Sequence, residues 1–139
     1  LSDEEIVATA QGSWTRYELR AVWREEDHVL QFLALPDIRV PADKRAAMYE
    51  TLGLINEQLW IGHFEMWASS GIVLFRHAAL IGAADDDEPA LTLDAAETLV
   101  EAAIDECERF YPVFQFVLWA DKTPAEAIAA ALIETQGEA

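Results

Sequence analysis

His63, Glu65, Arg76 and His77 lie on two apolar stretches, GHFEMW and GIVLFRHAAL, joined through Ser69-Ser70-Gly71. An imidazole and a carboxylate two residues apart share one face of a strand, and with Ser69 and Ser70 as the only loop residues Arg76 stands opposite His63 on that same face. His63, Glu65 and Arg76 together could move a proton or hold an anionic ligand. Cross-strand charge pairs on the wetter face of an ordinary sheet have the same spacing. We take the second reading, because acid–base work needs a cleft and a shifted pKa, and neither has a sequence signal here.

His77 points to the other face, beside Phe75 and Ala79, and is expected as a buried histidine with one hydrogen-bond partner. His28 falls near a hairpin turn. Cys107 lies on an apolar helical stripe and reads as a packed thiol, not a nucleophile. The chain has no HExxH, paired-cysteine or EF-hand pattern, and no GxGxxG, P-loop or GxSxG. Asp85 to Glu88 lack the glycine and spacing of a calcium loop and suggest only weak surface binding of divalent ions. No catalytic residue, resident metal or cofactor is therefore expected.

The elements that must position these groups follow from periodicity. Tyr17, Leu19, Ala21 and Trp23 alternate with Arg16, Glu18, Arg20 and Arg24, as in a strand with one solvated face. A two-residue Gly12-Ser13 turn would pair Ile6 with Leu19 and Ala8 with Tyr17. A turn near Glu26-Asp27 would pair Trp23 with Leu30 and Ala21 with Phe32. Together these predict a three-stranded meander. Pro41 suits the first position of a helix whose Met48, Leu52, Ile55 and Leu59 line one face. Strands over 60–68 and 72–80 come next, pairing Phe64 with Phe75 and Met66 with Val73. Asp94 with Glu97 reads as a capping box for a long helix striped by Val100, Ala103, Ile104, Cys107, Phe110 and Phe114. Pro112 should bend that helix near Tyr111, or end and restart it. Thr123, Pro124 and Glu126 then begin a last helix. The fold class is α+β: an antiparallel five-stranded sheet with helices on one face, in the order β-β-β-α-β-β-α-α, as a single domain over residues 1–139.

With 139 residues, 53% of them hydrophobic and five of them Trp, the chain has material for a core. Its net charge of −17, from 26 acidic and 9 basic residues, repels nucleic acid and anionic membrane surfaces. Residues 84–139 carry 14 acidic and 2 basic side chains, so most of the negative field belongs to the C-terminal helices. No apolar run approaches the roughly 20 residues of a membrane span. One cysteine forms no internal disulfide and no signal-peptide pattern is present, so the cytoplasm is the expected compartment. In FYPVFQFVLW, the residues Phe110, Tyr111, Phe114, Phe116 and Trp119 exceed one helical stripe. Either the run is buried all round, or part of it meets another chain, with a homodimer as the expected cover.

INEQLWIGHFEMW followed by GIVLFRHAAL, then ECERFYPVFQFVLW, with Gly12-Ser13-Trp14 near the start, closely resembles the YbjN family of bacterial proteins over nearly the whole chain. The resemblance implies a fold similar to type III secretion chaperones, whose molecules commonly pair as dimers and bind extended segments of other proteins. It also implies a role in sensory transduction regulation, and it carries over no catalytic residue. The expected function is a non-enzymatic regulatory or chaperone-like protein-binding module. The competing reading is a small-ligand-binding protein or enzyme using His63, Glu65 and Arg76.

Overall fold

The structure, a computed structural model, describes residues 4–82 and 92–137, with side chains up to residue 131. The acidic Asp85 to Glu88 stretch lies outside the described residues. Five strands, β1 (Glu4–Gln11), β2 (Arg16–Arg24), β3 (Val29–Leu35), β4 (His63–Met66) and β5 (Val73–Leu80), form one antiparallel sheet in the order β1-β2-β3-β5-β4. Helix α1 (Arg45–Asn56) follows a 3₁₀ turn at Ala42–Lys44, and α2 (Leu93–Trp119) and α3 (Pro124–Gly137) end the chain. This is the α+β class and the element order that the periodicity predicts.

Alternation sorts the strand residues into two faces. Tyr17, Leu19, Ala34, Phe64 and Phe75 join Met48, Leu52 and Ile55 of α1, Ala103, Cys107, Phe110 and Phe114 of α2 and Ala127 of α3 in the main core. Leu33, Leu35 and Leu74, with Trp67 and Ile72 against them, form a smaller cluster on the opposite face. Phe64 is the hub of the main core. Its ring meets Phe75, Phe110 and Phe114 edge-on, at centroid distances of 5.2, 6.0 and 5.4 Å.

Two registers agree with expectation: Trp23 faces Leu30 and Ala21 faces Phe32, and Phe64 faces Phe75 and Met66 faces Val73. The first hairpin does not. Ile6 faces Ala21 and Ala8 faces Leu19, a slip of two residues, because the connection is the four-residue Gly12–Thr15 loop instead of a two-residue turn. A slip of two keeps every side chain on its face. The loop is set by α2. Glu108 accepts hydrogen bonds from Ser13 N–H at 2.6 Å and Tyr17 O–H at 2.7 Å, and Trp14 stacks parallel to Tyr111.

The helix starts show the same mixture. Thr123 and Glu126 form the expected capping box, each backbone N–H donating to the other's side chain. For α2 the cap is Thr92, whose Oγ1 accepts from Ala95 N–H at 3.1 Å, and not Asp94. Helix α2 also runs unbroken through Pro112. A helix-interior proline costs about 3 kcal/mol. Burying Phe110, Tyr111, Val113, Phe114 and Val117 around it, at roughly 1.5–3 kcal/mol per large side chain, outweighs that cost.

The second hairpin turns at Gly71, with φ +77°, where a Cβ would stand 2.4 Å from the Val40 carbonyl oxygen. Gly71→Ala should therefore lower unfolding free energy by at least about 2 kcal/mol, from left-handed backbone strain plus a backbone clash. Gly53→Ala, on α1 with open space around the added methyl, should raise it by about 0.5–1 kcal/mol. Urea titration of the two variants measures both.

Candidate functional site

His63, Glu65 and Arg76 do come together, on the helix-free face of the sheet. Cross-strand pairing lines up Val7, Arg20, Leu33, Arg76 and His63 in one row across all five strands. Glu65, one pleat along β4, lies at the centre of a closed network. Arg76 holds it with two parallel bonds, Nε to Oε1 at 2.9 Å and Nη2 to Oε2 at 2.7 Å. His63 Nε2 is 2.7 Å from Oε1, and Trp67 Nε1–H donates to Oε2 at 3.0 Å. Each carboxylate oxygen thus has two partners, which uses its ordinary acceptor capacity.

Burial opposes the Glu65 charge, but the bonds from Arg76, His63 and Trp67 more than offset it and hold the carboxyl below its usual range. That environment makes a poor general base at neutral pH, since a base needs a pKa near the working pH and a free lone pair. A cleft opens on the same face of the sheet, lined by residues of β1 and β2 and by Leu35, Asp37, Ile38, Arg39 and Ile72, and none of the three residues borders it. Trp67, two residues beyond Glu65 and on its face, completes the network; the i, i+2 spacing was the signal for it. Nothing in the sequence pointed to Glu108.

The remaining candidates are placed as follows. Cys107 is buried, and burial pushes its thiol up, away from the nucleophilic thiolate. His77 is half-buried and, among the described residues, makes no side-chain hydrogen bond, where one partner was expected. His28 adopts φ +54° in its turn and meets the Trp23 ring edge-on. Among the described residues no group of three His, Cys, Asp or Glu side chains could hold a metal ion, and no helix is long and apolar enough to cross a membrane. Within the aromatic run, Phe110, Tyr111 and Phe114 are buried in the chain's own core, Phe116 packs partly against it, and Trp119 is 66% exposed.

The stretches GHFEMW and GIVLFRHAAL, which carry part of the resemblance, are now located: Phe64 and Phe75 pair across β4 and β5, Phe64 meets Phe110 and Phe114 of α2, and His63, Arg76 and His77 flank the two phenylalanines. A family model described as "YbjN: Putative bacterial sensory transduction regulator" matches residues 1–116. The chain belongs to the YbjN family. The match takes in the whole sheet, α1 and all but the last turn of α2. No curated protein and no solved structure matches the chain. As a YbjN protein it belongs to a family described by regulation, and the saturated Glu65 network fits a structural part for the matching words.

The network has an acid signature. Because the folded pKa of Glu65 lies below its unfolded value, its contribution to stability is full above about pH 5 and is lost as pH falls through the folded pKa. Glu108 behaves alike: burial opposes its charge and the Ser13 and Tyr17 hydrogen bonds outweigh that. Glu65→Gln should cost about 1–2 kcal/mol at pH 7 and flatten the decline in stability below pH 5, measured by urea unfolding at stepped pH. His63→Ala, at the exposed rim of the network, should cost less than about 1 kcal/mol.

Proposed function

We propose that this chain is a non-enzymatic regulatory or chaperone-like module that binds protein, receiving an extended segment along the outer edge of β1. A second copy, pairing β1 with β1, is the first occupant we assign, and the cytoplasm is the compartment. The observation that carries this reading is the contrast between the two sheet edges. β4 has four residues, and its edge is blocked at Phe64, whose N–H and C=O both bond to the Asn56 side-chain amide, at 2.8 and 3.1 Å.

β1 has eight residues, nearly all exposed, with Ile6 71% and Val7 54% accessible on its two faces. A long edge strand with unpaired backbone groups and apolar side chains is a template for strand addition. Trp119, exposed at the end of α2, offers a further apolar contact. Membership of a family described by regulation supports the reading, as does the dimeric habit of the chaperone fold that the sequence words imply. The acidic C-terminal helices would steer a basic flank of a partner toward the edge.

Light scattering on a sizing column should show a dimer at micromolar concentration. Ile6→Lys and Val7→Lys place a charge on the edge without disturbing the core and should give monomers with unchanged circular dichroism. A wild-type monomer whose set of captured proteins is the same as that of both lysine variants and of Trp119→Asp would overturn the proposal.

A further inference from the structure

Pro36 and Asp37 break the sheet at the end of β3. Proline has no amide to donate, and Asp37 adopts φ +57°, so the chain leaves β2 after Leu35, the last residue paired with it. Residues 38–40 run instead beside 71–73: Val73 N–H donates to Ile38 O at 3.1 Å and Val40 N–H to Gly71 O at 2.8 Å. The start of β2 is left without a neighbour on that side. The opening is the cleft of about 380 Å³ on the helix-free face, within the size range of small-molecule sites. Arg16 and Arg20 line it from β2 and Arg39 from the displaced segment, while Leu35 and Ile72 give it an apolar floor.

The arginines single this cleft out. Of the seven in the chain, Arg20, Arg24, Arg76 and Arg109 each lie against a carboxylate, and Arg45 donates to the carbonyls of Val40 and Ala68. Among the described residues, the two guanidiniums with neither a hydrogen bond nor an ion pair are Arg16 and Arg39. Both line the cleft. Each offers a planar fork of donors that fits a carboxylate. The cleft's own acids do not satisfy them: Glu18 is taken by Arg20 at 2.5 Å, and Asp37 makes no ion pair among the described residues. Three arginines against two carboxylates leave the cleft with a single excess positive charge inside a strongly acidic molecule, the charge that one carboxylate neutralises.

We propose that this cleft binds a small monocarboxylate with a short aliphatic body, the carboxylate held by Arg16 and Arg39 and the chain lying on Leu35 and Ile72. Thr9 of β1 also lines the cleft, so the site adjoins the strand whose outer edge receives the partner and would give a regulatory module a chemical input. Sodium hexanoate titrated into ¹⁵N-labelled protein should give saturable shifts at the Arg16 and Arg39 side chains and the Leu35 and Ile72 amides. Affinity should rise from acetate to hexanoate, and the neutral analogue hexanamide should leave these signals in place. Arg16→Gln and Arg39→Gln, both at exposed positions, should keep the circular dichroism and weaken binding about tenfold each. Absence of saturable shifts with hexanoate, equal shifts with hexanamide, or wild-type affinity in both variants would overturn the proposal.

Discussion

Phe64 is the point on which the molecule's layers depend. It is a residue of the short strand β4, yet its ring contacts one phenylalanine of the neighbouring strand and two of the long helix, while Asn56 grips its backbone from α1. Edge-to-face aromatic pairs add about 0.5–1.5 kcal/mol each beyond the area they bury. The two pairs to Phe110 and Phe114 hold α2 over the centre of the sheet, above β3 and β5, and the third ties β4 to β5. That placement leaves β1 outside the helical cover. It also brings Glu108 and Tyr111 over the Gly12–Thr15 loop, so the first hairpin is shaped by a helix that follows it by most of the chain's length.

This arrangement explains which parts of the fold could be read from the sequence. The β4–β5 register was legible because a tight turn and an apolar alternation both fix it locally, and His63 opposite Arg76 followed from that register. The β1–β2 register was not, because its loop answers to Glu108 and Tyr111, partners no local pattern reveals. Proline at 112 pointed to a bend or an end and restart on backbone grounds alone; the helix does not end there, and the residues on both sides of the proline are buried. In the site, residue spacing showed that His63, Glu65 and Arg76 share a face. It could not show that Glu65 has every acceptor position filled, which separates a structural clasp from a reactive carboxylate. The cleft escaped notice altogether, since Arg16 and Arg39 meet there only because the strand breaks at Pro36 and Asp37.

The sheet's two faces also divide the chain's electrostatics. Helix α2 alone carries six acidic residues against one arginine, whereas the open face carries Arg16, Arg20 and Arg76 among a few carboxylates, with leucines between them. A molecule with a large overall negative charge thus keeps one surface close to neutral.

The Glu108 clasp on Ser13 joins residues 95 positions apart. On a ribosome the first hairpin leaves the exit tunnel long before its acceptor exists, and its core-facing row, Tyr17 and Leu19 included, waits without the helix that covers it. Closing so long a loop is entropically costly until the intervening chain has compacted. The Gly12–Thr15 loop therefore reaches its final shape late in folding, after α2 has docked, and a nascent chain halted before Glu108 would present that hairpin unclasped to whatever chaperones attend it.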